Sequence, residues 1–224
     1  SEIEVDEVID KHHFVEFILK QEDLAGSSEE TKSHLSQLYR DLRFLVQVDQ
    51  VWKLAGIKAV TVHPTRGYTV FKNGDKIYIM SSRGLDSEGA QMFHHGKINK
   101  ITSHIGQDLI GATLIDPITG KELPIIGNTE IEDSISHILP LCPSTNPADF
   151  RFSEKLEVDR SPCVDFNGKL LTSNPKLAGL SLFQTATEGM LLELASKGQV
   201  LQYTNESPMI WFRHKQLKDP VFLT

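Results

Sequence analysis

Thr69-Val70-Phe71-Lys72-Asn73-Gly74-Asp75-Lys76-Ile77-Tyr78-Ile79-Met80 is the stretch that decides the fold class. β-Branched and aromatic side chains fill both flanks, and Asn73-Gly74 sits between them. That dipeptide reaches the positive φ angles of a tight hairpin turn with little strain. The segment therefore predicts antiparallel strands over about 69–71 and 76–80. A second hairpin is expected within Leu109–Ile126, turning at Pro117-Ile118-Thr119-Gly120. Residues 44–48 and 57–62 are equally β-rich, and Val200–Thr224 returns to strand. Near the front, Ile3 and Val5, then Phe14-Val15-Glu16-Phe17-Ile18-Leu19, suggest two strands around a turn at Asp10-Lys11.

Helical signals are fewer. Leu35, Leu38, Tyr39 and Leu42 recur at i, i+3, i+4 and i+7, one face of an amphipathic helix over about 29–42. Ser27 with Glu30 fits a capping box at its start. This reads as a peripheral helical insertion over 22–42. Asn146-Pro147 opens a short helix. Leu182, Ala186, Met190 and Leu194 stack along another over about 182–197, with Gly198 as its C-cap. Residues 81–107 are polar and rich in Gly and His, and no element is assigned there. With no repeat and no dividing linker, the 224 residues read as one α+β domain, β-barrel-like, with peripheral helices.

Composition narrows the function. The chain is 39% hydrophobic and 24% charged, as in ordinary soluble proteins, and no run of about 18 apolar residues suits a membrane span. The acidic start, Ser1 to Glu7, resembles neither a secretory signal nor an Arg-rich transit peptide. If the parent enters an organelle, its leader lies outside this sequence. A net charge of -7 disfavours general nucleic-acid binding, because phosphates attract Lys and Arg. Cys142 and Cys163 are too few for an all-cysteine zinc site and read as half-buried thiols. The adjacent pairs His12-His13 and His94-His95 lack metal-ligand spacing and read as exposed loop histidines. No phosphate loop and no nucleophile elbow is present. Residue chemistry alone thus reaches only a soluble α+β domain, with no metal site and no cofactor of its own.

Four segments resemble, in order, the connective-peptide insertion of class I valyl-, isoleucyl- and leucyl-tRNA synthetases. Glu2-Ile3-Glu4-Val5 with Phe14-Val15-Glu16-Phe17 resembles its opening strands. Ala59-Val60-Thr61-Val62-His63-Pro64 resembles the stretch after its threonine-rich peptide. Pro140-Leu141-Cys142-Pro143-Ser144-Thr145-Asn146-Pro147-Ala148-Asp149-Phe150 resembles its substrate loop. The run from Ser207 through Trp211 and Arg213 to Pro220-Val221-Phe222 resembles the return to the catalytic domain, and favours the isoleucyl branch.

The resemblance implies an editing domain that hydrolyses misacylated tRNA. In that family threonines of the threonine-rich peptide position ester and water, and an aspartate pairs with the substrate ammonium. Counting back from His63-Pro64 without a gap puts Trp52 on that peptide's tryptophan. Its three threonines fall on Val48, Asp49 and Gln50, its prolines on Val51 and Ala55, and a later threonine on Lys53. In the second loop a histidine becomes Thr145 and a glycine Asn146. The upstream Gly-Thr-Gly becomes Asp133-Ser134-Ile135-Ser136. Asp149 alone remains, and it could equally be a helix N-cap. The candidate substrate-binding residues are therefore Asp149, Thr145, Trp52 and Asp49, with no catalytic residue assigned.

The resulting expectation is an editing-type domain of an isoleucine–tRNA ligase without post-transfer deacylase activity. Residues 1–19 and 200–224 would link it as neighbouring strands to an absent catalytic domain that uses ATP and Mg²⁺. Expected partners are that catalytic domain and, weakly, the tRNA acceptor end, in a monomer with no membrane contact. The expected location is the mitochondrial matrix, otherwise the cytoplasm. Two alternatives stand beside it: a free-standing, non-catalytic interaction module descended from such an insert, and an active deacylase with a rearranged site around Asp49 or Asp149.

Overall fold

The computed structural model describes residues 3–8, 11–20, 41–93, 96–131, 134–156, 158–182, 185–204, 209–214 and 220–221. Their strands are β1 (Ile3–Val8), β2 (Lys11–Leu19), β3 (Leu42–Val48), β4 (Ala59–Val62), β5 (Gly67–Asn73), β6 (Lys76–Ser81), β7 (Asn99–Ile105), β8 (Thr113–Ile115), β9 (Glu122–Gly127), β10 (Ile138–Leu141), β11 (Val200–Thr204), β12 (Met209–His214) and β13 (Pro220–Val221). The α-helices are α1 (Ser82–Met92), α2 (Pro147–Glu154) and α3 (Ala186–Ser196), and Val51–Gly56 forms a 3-10 turn.

Both expected hairpins form. Asn73 pairs with Lys76 across the first turn, where Gly74 takes φ 62°. β8 and β9 make the second, closed at Gly120 with φ 72°. The helix expected at about 29–42 lies almost wholly outside the described residues, and its last residue, Leu42, opens β3 instead. The polar segment 81–107 is more ordered than its composition suggests, since it holds α1 and β7.

Ten strands form one sheet in the order β10-β4-β9-β8-β2-β3-β6-β5-β7, with β11 added beside β2. The β3–β6 and β4–β9 pairs are parallel, and the other described pairs are antiparallel. β10 also packs against β3, far along the strand order, so the sheet curls towards a barrel. β1, β12 and β13 make a separate three-stranded sheet in which β1 and β12 pair antiparallel from Ile3–His214 to Val8–Met209.

Alternation along the strands creates two cores. Val15, Phe17, Phe44, Val46, Val70 and Ile79 face the barrel interior with Val60, Leu114 and Ile125. Their neighbours Phe14, Leu45, Phe71 and Met80 face outward, where Leu85 and Met92 of α1 and Phe93 cover them. Gly84 permits that cover: a Cβ there would lie 1.8 Å from the Ile135 carbonyl oxygen. Between the outer residues Glu16 is only 1% exposed. Its carboxylate accepts from Arg43 at 2.6 Å, from Lys76 at 3.0 Å and from the Tyr78 hydroxyl at 3.2 Å. Burial and the neighbouring Glu16 charge raise the Tyr78 phenol well above its ordinary pKa.

Candidate functional site

Where β3 ends, the chain drops into the 3-10 turn because Val51 and Leu54 sink fully into the core. That descent leaves Asp49 and Lys53 at the rim of a cavity of about 410 Å³. Thr61 of β4, Leu139 and Pro140 of β10, and Asn146, Asp149 and Phe152 around α2 supply other walls. Two strands, a 3-10 turn and a helix N-terminus thus converge on one opening.

The charges in it are locally constrained. Lys53 Nζ donates to Asp49 Oδ2 at 2.5 Å, and Asp49 Oδ1 accepts the Gln50 amide at 2.7 Å. Opposite them, Asn146 caps α2 by accepting the Ala148 amide at 2.9 Å, and Pro147 begins the helix. Asp149 is therefore not the N-cap. It sits in the first turn, and its Oδ2 accepts the Cys142 amide at 2.8 Å. This bond ties the carboxylate to the end of β10. Thr61 donates its hydroxyl to the Leu139 carbonyl at 3.1 Å.

The structure brings Asp49 and Asp149 to one cavity, but not Trp52 or Thr145. The Trp52 indole turns back to Gln50 Oε1 at 2.8 Å and packs on the core. Thr145 donates to the Cys142 carbonyl at 3.3 Å and lines a shallower depression with Pro143 and Phe150. Among the cavity residues that escaped assignment from sequence are Lys53 and Thr61. Lys53 looked like a simple replacement until the turn placed it against Asp49, and the role of Thr61 depends on β10 pairing with β4. His12 also lines the cavity, because His12 and His13 lie half-buried on β2, not in an exposed loop. His94-His95 lie outside the described residues.

Cys142 and Cys163 are free and buried, at 2% and 3% exposure, more deeply than expected. Burial, with the Asp149 charge second, pushes the Cys142 thiol well above its ordinary pKa. It stays protonated and is a poor nucleophile. Among the described residues no three His, Cys, Asp or Glu side chains could hold a metal ion, and no helix is long and apolar enough to cross a membrane.

No protein-family model matches the chain. An isoleucine–tRNA ligase of Gloeothece citriformis is 24% identical over 197 residues, covering 84% of this chain and 20% of that protein. A valine–tRNA ligase of Staphylococcus haemolyticus is 33% identical over 79 residues, covering 35% of this chain and 9% of that protein. Among solved structures, GlLeuRS-CP1 superposes with a TM-score of 0.68 at 18% identity, over 88% of this chain and all of that one. The editing domain of the Plasmodium knowlesi cytosolic leucyl-tRNA synthetase gives 0.62 at 12% identity, over 89% of this chain and 98% of that one. The chain has the fold of class I synthetase editing domains and is similar in sequence to isoleucine– and valine–tRNA ligases. The α+β editing fold expected from the resemblance is the fold observed. The chain spans about a fifth of the length of the Gloeothece ligase.

Proposed function

We propose that this editing-type domain belongs to an isoleucine–tRNA ligase and binds the aminoacyl end of tRNA weakly, without hydrolysing it. The Asp49–Lys53 pair carries the reading. It occupies positions on which the threonine-rich peptide falls by counting back from His63-Pro64, and it puts a carboxylate, with an ammonium held against it, in place of that peptide's hydroxyls. A developing oxyanion needs donors aimed at it. Asp49 repels it, and Val48 has no polar side-chain atom. Thr61 offers a hydroxyl, but that group donates to Leu139. Asp149, held by the Cys142 amide, suits an α-ammonium in the ground state; equal grip on ground and transition states does not accelerate chemistry.

The isoleucine assignment is supported by coverage. The isoleucine ligases of Gloeothece citriformis and Acaryochloris marina match 84% and 89% of the chain, whereas the valine ligase of Staphylococcus haemolyticus matches 35%. The antiparallel β1–β12 pair supports an insert, since strands that enter from and return to one host must run side by side. In this reading ATP and Mg²⁺ act in the parent's catalytic domain, and the whole enzyme is a monomer. The test gives the parent enzyme valine, ATP and tRNA(Ile). Isoleucyl synthetases in general separate isoleucine from valine by only about 150-fold at synthesis. Valyl-tRNA(Ile) should therefore accumulate at roughly that fraction of the isoleucylation rate. No accumulation, with accumulation appearing in Asp149→Ala, refutes the reading and favours a rearranged deacylase.

A further inference from the structure

Of the asparagines in the chain, two precede glycine: Asn73 and Asn167. Such a step carries a chemistry of its own. The backbone nitrogen of the following residue can attack the asparagine side-chain carbonyl, and glycine has no Cβ to hinder the approach. Asn146 and Asn174 are excluded, because each precedes a proline, which has no N–H to give up. Both Asn-Gly steps stand in tight turns, with φ 62° at Gly74 and 71° at Gly168. The two turns differ in what holds the nitrogen that must attack.

Around Asn167 the backbone is tied down. The Gly168 N–H donates to the Asp165 carbonyl at 3.0 Å, the Asn167 N–H to Asp165 Oδ1 at 2.8 Å, and the Lys169 N–H to the same oxygen at 2.9 Å. Attack there must first break the Gly168 bond. At the other turn the ladder ends with the Asn73–Lys76 pair, and Gly74 stands beyond it at the exposed tip. Among the described residues nothing accepts the Gly74 N–H, and the Asn73 carboxamide makes no hydrogen bond. Apart from its chain neighbours, no atom lies within 4 Å of where a Cβ on Gly74 would stand, so that side of the turn is open to water.

We propose that Asn73 is a site of spontaneous modification, at which the tip of the β5–β6 hairpin converts to isoaspartate. The Gly74 nitrogen gives its proton to solvent and bonds to Asn73 Cγ. The Cγ–Nδ2 bond breaks, ammonia leaves with a proton taken from water, and a cyclic imide closes. Water then opens the ring at either carbonyl. Breaking the bond to Cγ leaves aspartate; breaking the bond to the backbone carbonyl carbon leaves isoaspartate, with the main chain running through Cβ. The net change is one water consumed and one ammonia released, with no oxidant or reductant. Isoaspartate adds a carbon to the main chain where Asn73 pairs with Lys76, so it disrupts that pair at the end of the ladder. Lys76 also donates to the buried Glu16 at 3.0 Å, which ties the modified turn to the outer core. The proposal is independent of any role in tRNA chemistry.

The experiment ages the folded full chain at mildly alkaline pH, digests it in acid and locates isoaspartate by mass-spectrometric peptide mapping. Labelled methyl transfer from S-adenosylmethionine by an isoaspartyl methyltransferase counts the same product independently. Asn73 should convert faster than Asn167 by roughly 2–10-fold, the worth of the one hydrogen bond that Gly168 must break and Gly74 need not. In urea the two rates should converge, since both turns are then lost. Asn73→Gln should abolish the product at 73 and leave that at 167 unchanged. Equal native rates, faster conversion at 167, or no isoaspartate at 73 overturns the proposal. A difference that survives in urea also overturns it, by assigning the preference to flanking side chains instead of the fold. Finally, the isoaspartate fraction, separated by ion exchange, should show faster hydrogen exchange at the Lys76 amide. Unchanged exchange there overturns the disruption of the Asn73–Lys76 pair.

Discussion

Glu16→Ala offers the most quantitative check on how the barrel is held. The carboxylate is 1% exposed and takes up Arg43, Lys76 and Tyr78. Removing it leaves the Arg43 guanidinium without its carboxylate, and Arg43 Nε is already buried with no hydrogen-bond partner. Breaking a buried ion pair typically costs about 3–5 kcal/mol. Lys76 is 32% exposed and partly screened, so the low end applies, about 3 kcal/mol. For a chain of this length that lowers Tm by roughly 6–12 °C. The double variant Glu16→Leu with Arg43→Leu should recover most of the loss, because an apolar pair of similar volume avoids desolvating charge. Urea unfolding at constant m reads both effects. A loss below about 1 kcal/mol in Glu16→Ala, or a double variant no better than the single, would refute the reasoning.

Three further outcomes follow from particular contacts. Gly84→Ala should separate α1 from the Ile135 loop, costing about 1–3 kcal/mol as an overpacked site, read by denaturant unfolding; wild-type stability contradicts the 1.8 Å approach. Burial pushes the Tyr68 phenol up to about 12, so the folded state holds its proton more tightly than the unfolded chain. That stabilisation is complete below about pH 10 and is lost as pH rises through about 12, a change of roughly 2–3 kcal/mol that Tyr68→Phe should abolish. Cys142 and Cys163 should resist thiol reagents at pH 8 until the chain unfolds; labelling at the rate of a free thiol contradicts their burial.

Legibility in the sequence followed how local each signal was. Asn73-Gly74 and Gly120 announce their turns because positive φ is a property of a residue or two. Asn146-Pro147 announces α2 for the same reason, with cap and first helical position adjacent. α1 was hidden: Gly84 and Gly89 weaken local helix propensity, and the helix exists because Leu85 and Met92 cover the outward face of β5 and β6. The cavity was legible in part. Asp49 and Asp149 meet in it, but Trp52 and Thr145 are drawn away by Gln50 Oε1 and the Cys142 carbonyl. Such local hydrogen bonds depend on the backbone path of two loops, which spacing alone does not encode.

The central claim is that the cavity holds but does not hydrolyse, and ester loss from pre-formed valyl-tRNA(Ile) tests it most directly. Removing a single oxyanion donor typically lowers such a rate by about 10²–10³. Here the segment has no hydroxyl, and its ammonium, Lys53, is held against the Asp49 carboxylate. The account predicts that the 224-residue chain, and separately its parent enzyme, leave the ester to decay at the rate measured in buffer alone. Hydrolysis well above that rate, abolished in Asp149→Ala, would contradict it.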